Sequence, residues 1–372
     1  RTSTVQQNFS QGNVESTNRN MDLAIAGEGF FRFQQPNGEV GYSRNGQLTM
    51  TADGRLVNAQ GAQIMGYAAN ADGIVQAGGD VNPLTVDSGA LPASATTQLS
   101  VELNLDSGEE GLDIGDFDPA DANTYSYSTN ASVYDSQGNA RNLTMYFIKD
   151  DAAPNQWQVQ GRMSGGPNDA QTYRFDLGRI GFNPNGTLDD AATTIIPIDS
   201  TGVAPGNFTV EAPGDPADNE FGTIFNDLDI AVDVQGSSQF AEPSNPNDIS
   251  QDGYTSGALV GVTIENDGTV MRNYSNEQSL AAGQIALVSF RNPEGLKPEG
   301  DNLWTATGAS GQELVGAAGT GLRGMIEASA VETSNVDMAR ELVDMIVAQR
   351  AYQANSQTIS TQDELLQTII NL

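Results

Sequence analysis

Two hydrophobic patterns divide this chain. Up to about residue 330 the apolar residues come in short runs that alternate with polar ones, broken by Gly, Asn, Asp and Pro. Half-buried strands joined by tight turns have that pattern. From residue 331 onward Gly and Pro vanish, and apolar residues recur at helical spacing. The fold class expected is therefore mainly β: two β domains, one discontinuous and one inserted, plus a long C-terminal α-helix.

Residues 1–20 are polar, with Val5, Phe9 and Val14 as their apolar members, and read as an extended linker. Residues 21–90 are dense in strand and hairpin signals. Leu23-Ala24-Ile25-Ala26 precedes Gly27 and Gly29, and Phe30-Phe31-Arg32-Phe33 follows. Asn37-Gly38, Asn45-Gly46, Asp53-Gly54 and Asp72-Gly73 are expected as two-residue hairpin turns, because they supply the positive φ those turns need. One more strand is expected over 99–105, then an acidic, Gly-rich surface loop over 106–121.

Residues 122–248 predict a second β domain, with strands over 125–134, 143–149, 157–161, 172–177, 193–198 and 208–210. Residues 249–330 return to the style of the first part, with Asp267-Gly268 as a further turn. The expected organisation is a linker over 1–20, an inner domain made of 21–121 with 249–330, an inserted outer domain over 122–248, and a helical segment over 331–372.

That last segment offers Ser334 or Asn335 as N-cap and Asp337 in the first turn. At 1.5 Å per residue the helix would be about 50 Å long. Met338, Leu342, Met345, Gln349, Tyr352, Ser356, Ile359, Asp363, Leu366 and Ile370 share a heptad seam, which Ile346 and Ile369 widen. The seam is apolar except at Gln349, Ser356 and Asp363, as in a coiled coil with register-setting polar positions. No second helix of that length is legible, so the seam needs a partner from elsewhere. The plainer alternative is an amphipathic helix lying on its own β domain.

Composition narrows the chemistry. The net charge is −32, from 48 acidic and 16 basic residues. Such a field argues against nucleic-acid binding and against docking on an anionic membrane. The chain has no Cys and no His. It therefore lacks disulfides, thiolate or imidazole metal ligands, and the commonest general base. No run of about 18 apolar residues exists to span a membrane. No charged-then-apolar leader stands at residue 1. Acid pairs such as Asp116 with Asp118, or Asp189 with Asp190, are expected by chance among so many carboxylates, and no loop matches the twelve-residue Ca²⁺ pattern. Gly27-Glu28-Gly29 lacks the third glycine and the βαβ setting of a nucleotide site. Phe30, Phe31 and Phe33 read as core. No catalytic residue, metal site or cofactor is expected.

Two long motifs then carry a resemblance. The first is Asp22-Leu23-Ala24-Ile25-Ala26-Gly27-Glu28-Gly29-Phe30-Phe31 with Tyr42-Ser43-Arg44-Asn45-Gly46. The second runs from Ala328 through Ser334-Asn335-Val336-Asp337 to Gln349-Arg350-Ala351-Tyr352. Together they resemble the two terminal signatures of bacterial flagellar axial proteins. Val133-Tyr134-Asp135-Ser136-Gln137-Gly138-Asn139 and Asn273-Tyr274-Ser275-Asn276-Glu277-Gln278 bring the resemblance to the hook proteins within that group.

The resemblance implies a structural subunit, not an enzyme. It implies a homopolymer that forms a short curved extracellular tube, the universal joint between rod and filament, with rod, cap and junction proteins as further partners. It implies export without a cleaved signal. It also implies that the long helix pairs with an N-terminal helix preceding residue 1 of this sequence, and with the same helices of neighbouring subunits. The other readings are a distal rod protein and, from a different class, a surface adhesin or carbohydrate-binding β protein.

Overall fold

The computed structural model describes residues 7–165, 171–199, 208–210 and 228–370. They fall into two compact units. One comprises Arg1–Ser88, Val260–Asn273 and Ser279–Leu372; the other comprises Gly89–Leu259 and Tyr274–Gln278. The acidic loop and the strand before it, expected with the first domain, thus belong to the second unit, as do residues 249–259.

In the first unit the large sheet runs, among the described residues, through Leu259–Ile264, Thr269–Tyr274, Ser279–Ser289, Gln63–Ala68, Phe30–Gln34, Val40–Ser43, Leu303–Thr305 and Lys297–Gly300. Period-2 alternation decides where each side chain of Phe30–Gln34 goes. Phe31 and Phe33 point into one core with Leu23, Ile25, Leu56, Ile64 and Leu287. Phe30 points the other way, to Tyr42, Val288, Phe290 and Leu296. Each buried ring contributes about 1.5–3 kcal/mol by removing apolar surface from water. A smaller sheet places Asp22–Ala26 between Met325–Ala328 and Gly46–Gln47.

The second unit packs two sheets over one core. The strand Gln98–Asp106 turns Leu99, Val101, Leu103 and Leu105 inward. It pairs in parallel with Asp229–Asp233 and Ser238–Phe240, and antiparallel with Asn245–Gln251. Facing it is the antiparallel run Tyr127–Tyr134, Ala140–Lys149, Gln156–Gly165, Gln171–Gly181, whose Phe147, Trp157 and Phe175 fill the same core.

The turns differ from expectation in a regular way. At Gln35–Glu39, Thr51–Arg55, Asn70–Ile74, Asp135–Asn139 and Glu265–Thr269 the fourth residue is a Gly at φ between 76° and 88°, and its N–H donates to the first residue's carbonyl. These are three-residue hairpins closed by a glycine bulge, not two-residue turns. Asn45-Gly46 is no turn at all. Gly46 sits inside a short strand, where an added Cβ would lie 2.3 Å from the Leu23 carbonyl oxygen and 2.6 Å from the Phe31 ring.

Residues 7–17 run extended but do not hang free. Phe9 packs on Phe30 and Trp304, and Val14–Ser16 pairs antiparallel with Ala330–Glu332. The helix Met338–Ile370 is capped by Asp337, whose carboxylate accepts the N–H groups of Ala339 and Arg340. Ser334 and Asn335 are therefore outside the helix. The Asn335 amide instead donates to the carbonyls of Asn8 and Ser10.

Candidate assembly site

Both quoted motifs meet at the base of the helix. Arg44, on the loop after Val40–Ser43, is largely buried, and all five of its N–H donors are used. Its Nε donates to Glu332 Oε2 at 2.8 Å. Its two terminal nitrogens donate to the carbonyls of Ile25, Gly27 and Gly29 at 3.0–3.3 Å. Carbonyls two residues apart face the same side of an extended chain, so the segment 25–29 offers a ready row of acceptors. Gly27 and Gly29 sit at φ 120° and 128°, a region that excludes a side chain.

Glu332 uses its other oxygen to accept the Gly12 N–H at 2.8 Å. Gly12 has no room for a Cβ, which would fall on the Thr333 carbonyl. Gln11 accepts from the Gly27 N–H and donates to the Ile25 carbonyl. One guanidinium thus ties three stretches of chain together: the glycine loop, the incoming segment 7–17 and the strand that leads into the helix. Asp22, also of the first motif, is buried beside Gln47 and pairs with Arg19 at 3.5 Å.

The helix itself is bare. Every side chain from 338 to 366 is exposed, so among the described residues it lies on no β domain. Met338, Leu342, Met345, Ile346, Tyr352, Ile359 and Leu366 of the seam are 47–78% exposed. Gln349, Arg350, Ser356 and Asp363 are exposed beside them, while the side chain of Ile370 lies outside the described residues. The pattern along the seam missed a second apolar strip. Val347 lies about two and a half turns beyond Met338, on the far side, with Val343 and Leu365 near the same line. All three are 57–59% exposed. Glu332, Gln11 and Gly12 were also not singled out: Glu332 meets Arg44 and Gly12 across 288 and 320 residues, and Gln11 meets Ile25 and Gly27 in contacts that no periodicity marks.

Three family models cover most of the chain. The flagellar hook protein FlgE/F/G D1 domain matches residues 24–104, the flagellar basal body protein FlaE D2 domain residues 104–254, and the flagellar basal body rod FlgEFG protein C-terminal segment residues 327–372. The chain is 39% identical to the flagellar hook protein FlgE of Escherichia coli (strain K12) over 99% of this chain and 86% of that protein. It is 32% identical to the flagellar hook protein FlgE of Borreliella burgdorferi over 97% of this chain and 81% of that protein. The crystal structure of Helicobacter pylori flagellar hook protein FlgE2 shares the fold, with a TM-score of 0.57 at 15% identity over 86% of this chain and all of that one. These relatives displace the adhesin and rod readings. With its two axial signatures gathered around one arginine and this identity held along nearly its whole length, the chain belongs to the family of flagellar hook proteins, as a structural subunit of the hook and not an enzyme.

Proposed function

We propose that this subunit polymerises through the exposed helix into a curved tube outside the cell, which works as the universal joint between rod and filament. The observation that carries the reading is a helix of 33 residues with apolar side chains exposed on two opposite faces. An exposed apolar strip on a helix marks a surface that another element covers, and two opposite strips call for at least two neighbours. Copies of one chain can supply both through heterologous contacts that propagate instead of closing. The other axial proteins of the flagellum would meet the same surfaces at the two ends of the tube.

Bending requires contacts that slide. We place the inserted unit on the outside and expect its contacts with other copies to be sparse and polar. A dry interface there above about 1,600 Å² would contradict this. Leu342→Asp and Ile359→Asp should abolish tubes in electron micrographs and leave the β circular dichroism unchanged. Val347→Asp, on the far strip, should do the same. Tubes that persist in all three variants would sink the reading.

A further inference from the structure

We infer that Arg44 is the positioning residue that fixes the direction in which the helix leaves the β domain, acting as the latch of a hinge. The inference extends the assembly reading and rests on it only for its consequence in the tube.

The hinge is visible in the backbone. Asn18 and Ser329 stand at φ 59° and 57°, in the left-handed region that non-glycine residues rarely occupy. Ser329 lies on the segment that leads to the helix, and Asn18 at the end of the segment that pairs with it. The Thr17 N–H donates to the Ser329 carbonyl at 2.8 Å, and the Ser16 hydroxyl reaches the same oxygen. Beyond this pair of bends stands a ribbon of only three residue pairs, Val14–Ser16 against Ala330–Glu332. A two-stranded ribbon of that length is marginal by itself. It cannot hold a helix of about 50 Å at a fixed angle without support.

Arg44 supplies that support from the domain side of the bends. Its Nε bond to Glu332 grips the ribbon, and its other four donors grip the rigid glycine loop. Glu332 passes the grip across the ribbon to Gly12. A guanidinium suits this task because it is planar, always charged, and presents five donors in a fixed fork. Lysine could keep the ion pair but not the row of carbonyls. A swing of the ribbon by one bond length would leave a buried charge unpaired, so the angle is held by an all-or-none contact.

In a bent tube, copies on the inner and outer sides of the curve need different angles between helix and domain. A latch that holds one angle, with a hinge behind it, lets a copy change angle without unfolding its β core.

The chain has no Cys, so two engineered cysteines can be spin-labelled cleanly. Gln60→Cys, on an exposed turn, and Ala348→Cys, on the helix, report the angle as a distance in the monomer. The parent should give one narrow distance distribution. Arg44→Met should lose it and give a broad or multiple one, with near-ultraviolet circular dichroism retained. Glu332→Gln, which removes only the charge on the ribbon side, should broaden it too, and covers the case in which Arg44→Met fails to fold. A distribution as narrow as the parent's in Glu332→Gln, or in a folded Arg44→Met, would make Arg44 a mere stabiliser and overturn the inference. A broad distribution in the parent would overturn it as well. The distance needs no polymer, so a failure of the assembly reading would show separately, as absence of tubes from the parent chain.

Discussion

Phe9 sets its ring edge-on against Phe30, with centroids 5.5 Å apart and planes at 78°. The same ring meets Trp304 at 5.6 Å, and the Trp304 indole N–H donates to Gln7. A lone aromatic in a polar stretch thereby anchors the segment that pairs with the strand leading to the helix. Aromatic pairs of this geometry contribute about 0.5–1.5 kcal/mol beyond area burial. Phe9→Ala should release residues 7–17 without unfolding the domain. Hydrogen exchange would register it as lost protection of the Thr17 amide, with the amides of Phe30–Gln34 unchanged. Equal loss in both would show that the segment is part of the domain's cooperative core.

Lys149 makes a second test, in the other unit. It is 7% exposed, and its ammonium donates to the carbonyls of Ser107 and Glu109 at 2.6 and 2.7 Å. A buried ammonium is tolerated only when its donors are used. Here they pin the start of the acidic loop, with the Trp157 ring 6.0 Å away. Lys149→Met keeps the stem and removes the donors. It should lower stability by about 1–3 kcal/mol and expose the loop to proteolysis. A proteolysis pattern unchanged from the parent would show the loop held by other contacts.

Glu277 occupies the place that glycine holds in the other hairpins. It is exposed at φ 63°, its N–H donates to the Tyr274 carbonyl, and Tyr274 bonds back to Gln278. A side chain in the left-handed region costs about 1–2 kcal/mol, and a glycine returns about 0.5–1 of that as extra freedom of the unfolded chain. Glu277→Gly should therefore raise stability by up to about 1 kcal/mol in urea titration, and Glu277→Val should lower it. A neutral result for both would mean that the turn relaxes.

These positions show what a sequence can carry. Alternation in Phe30–Gln34 and in Gln98–Asp106 is local, so the faces of those strands were legible. Gly38, Gly54 and Gly73 announced their turns, since little else takes positive φ there. Glu277 gave no such signal, because its conformation is imposed by the ladder around it. Asn45-Gly46 gave a false one: Gly46 is selected by the closeness of Leu23 and Phe31, not by φ. The helix cap moved to Asp337 because Asn335 is taken by Asn8 and Ser10, and that competition depends on the docked segment. The Arg44–Glu332 bond joins residues 288 apart in the chain, and no periodicity points to it.

Acid should find the first unit through Glu313. Its carboxylate takes two bonds from Arg32, at 3.0 and 3.1 Å, and the Tyr42 hydroxyl at 2.7 Å. Burial pushes the Glu313 carboxyl up, but the bonds from Arg32 and Tyr42 outweigh it and hold the group below the ordinary value of 4.5. Burial, then the bond to Glu313, pushes the Tyr42 hydroxyl up from 10.0, which keeps it a donor. For a carboxyl held down, the unfolded chain binds the proton first as pH falls. The stabilisation is therefore complete above the ordinary glutamate range and is lost as pH drops from there through the depressed value. Between pH 7 and pH 3 the parent should lose more stability than Glu313→Gln, whose amide does not titrate. Urea midpoints of the two proteins at both pH values measure the difference. Equal losses would show that the triad contributes nothing to acid sensitivity, and that other carboxylates carry it.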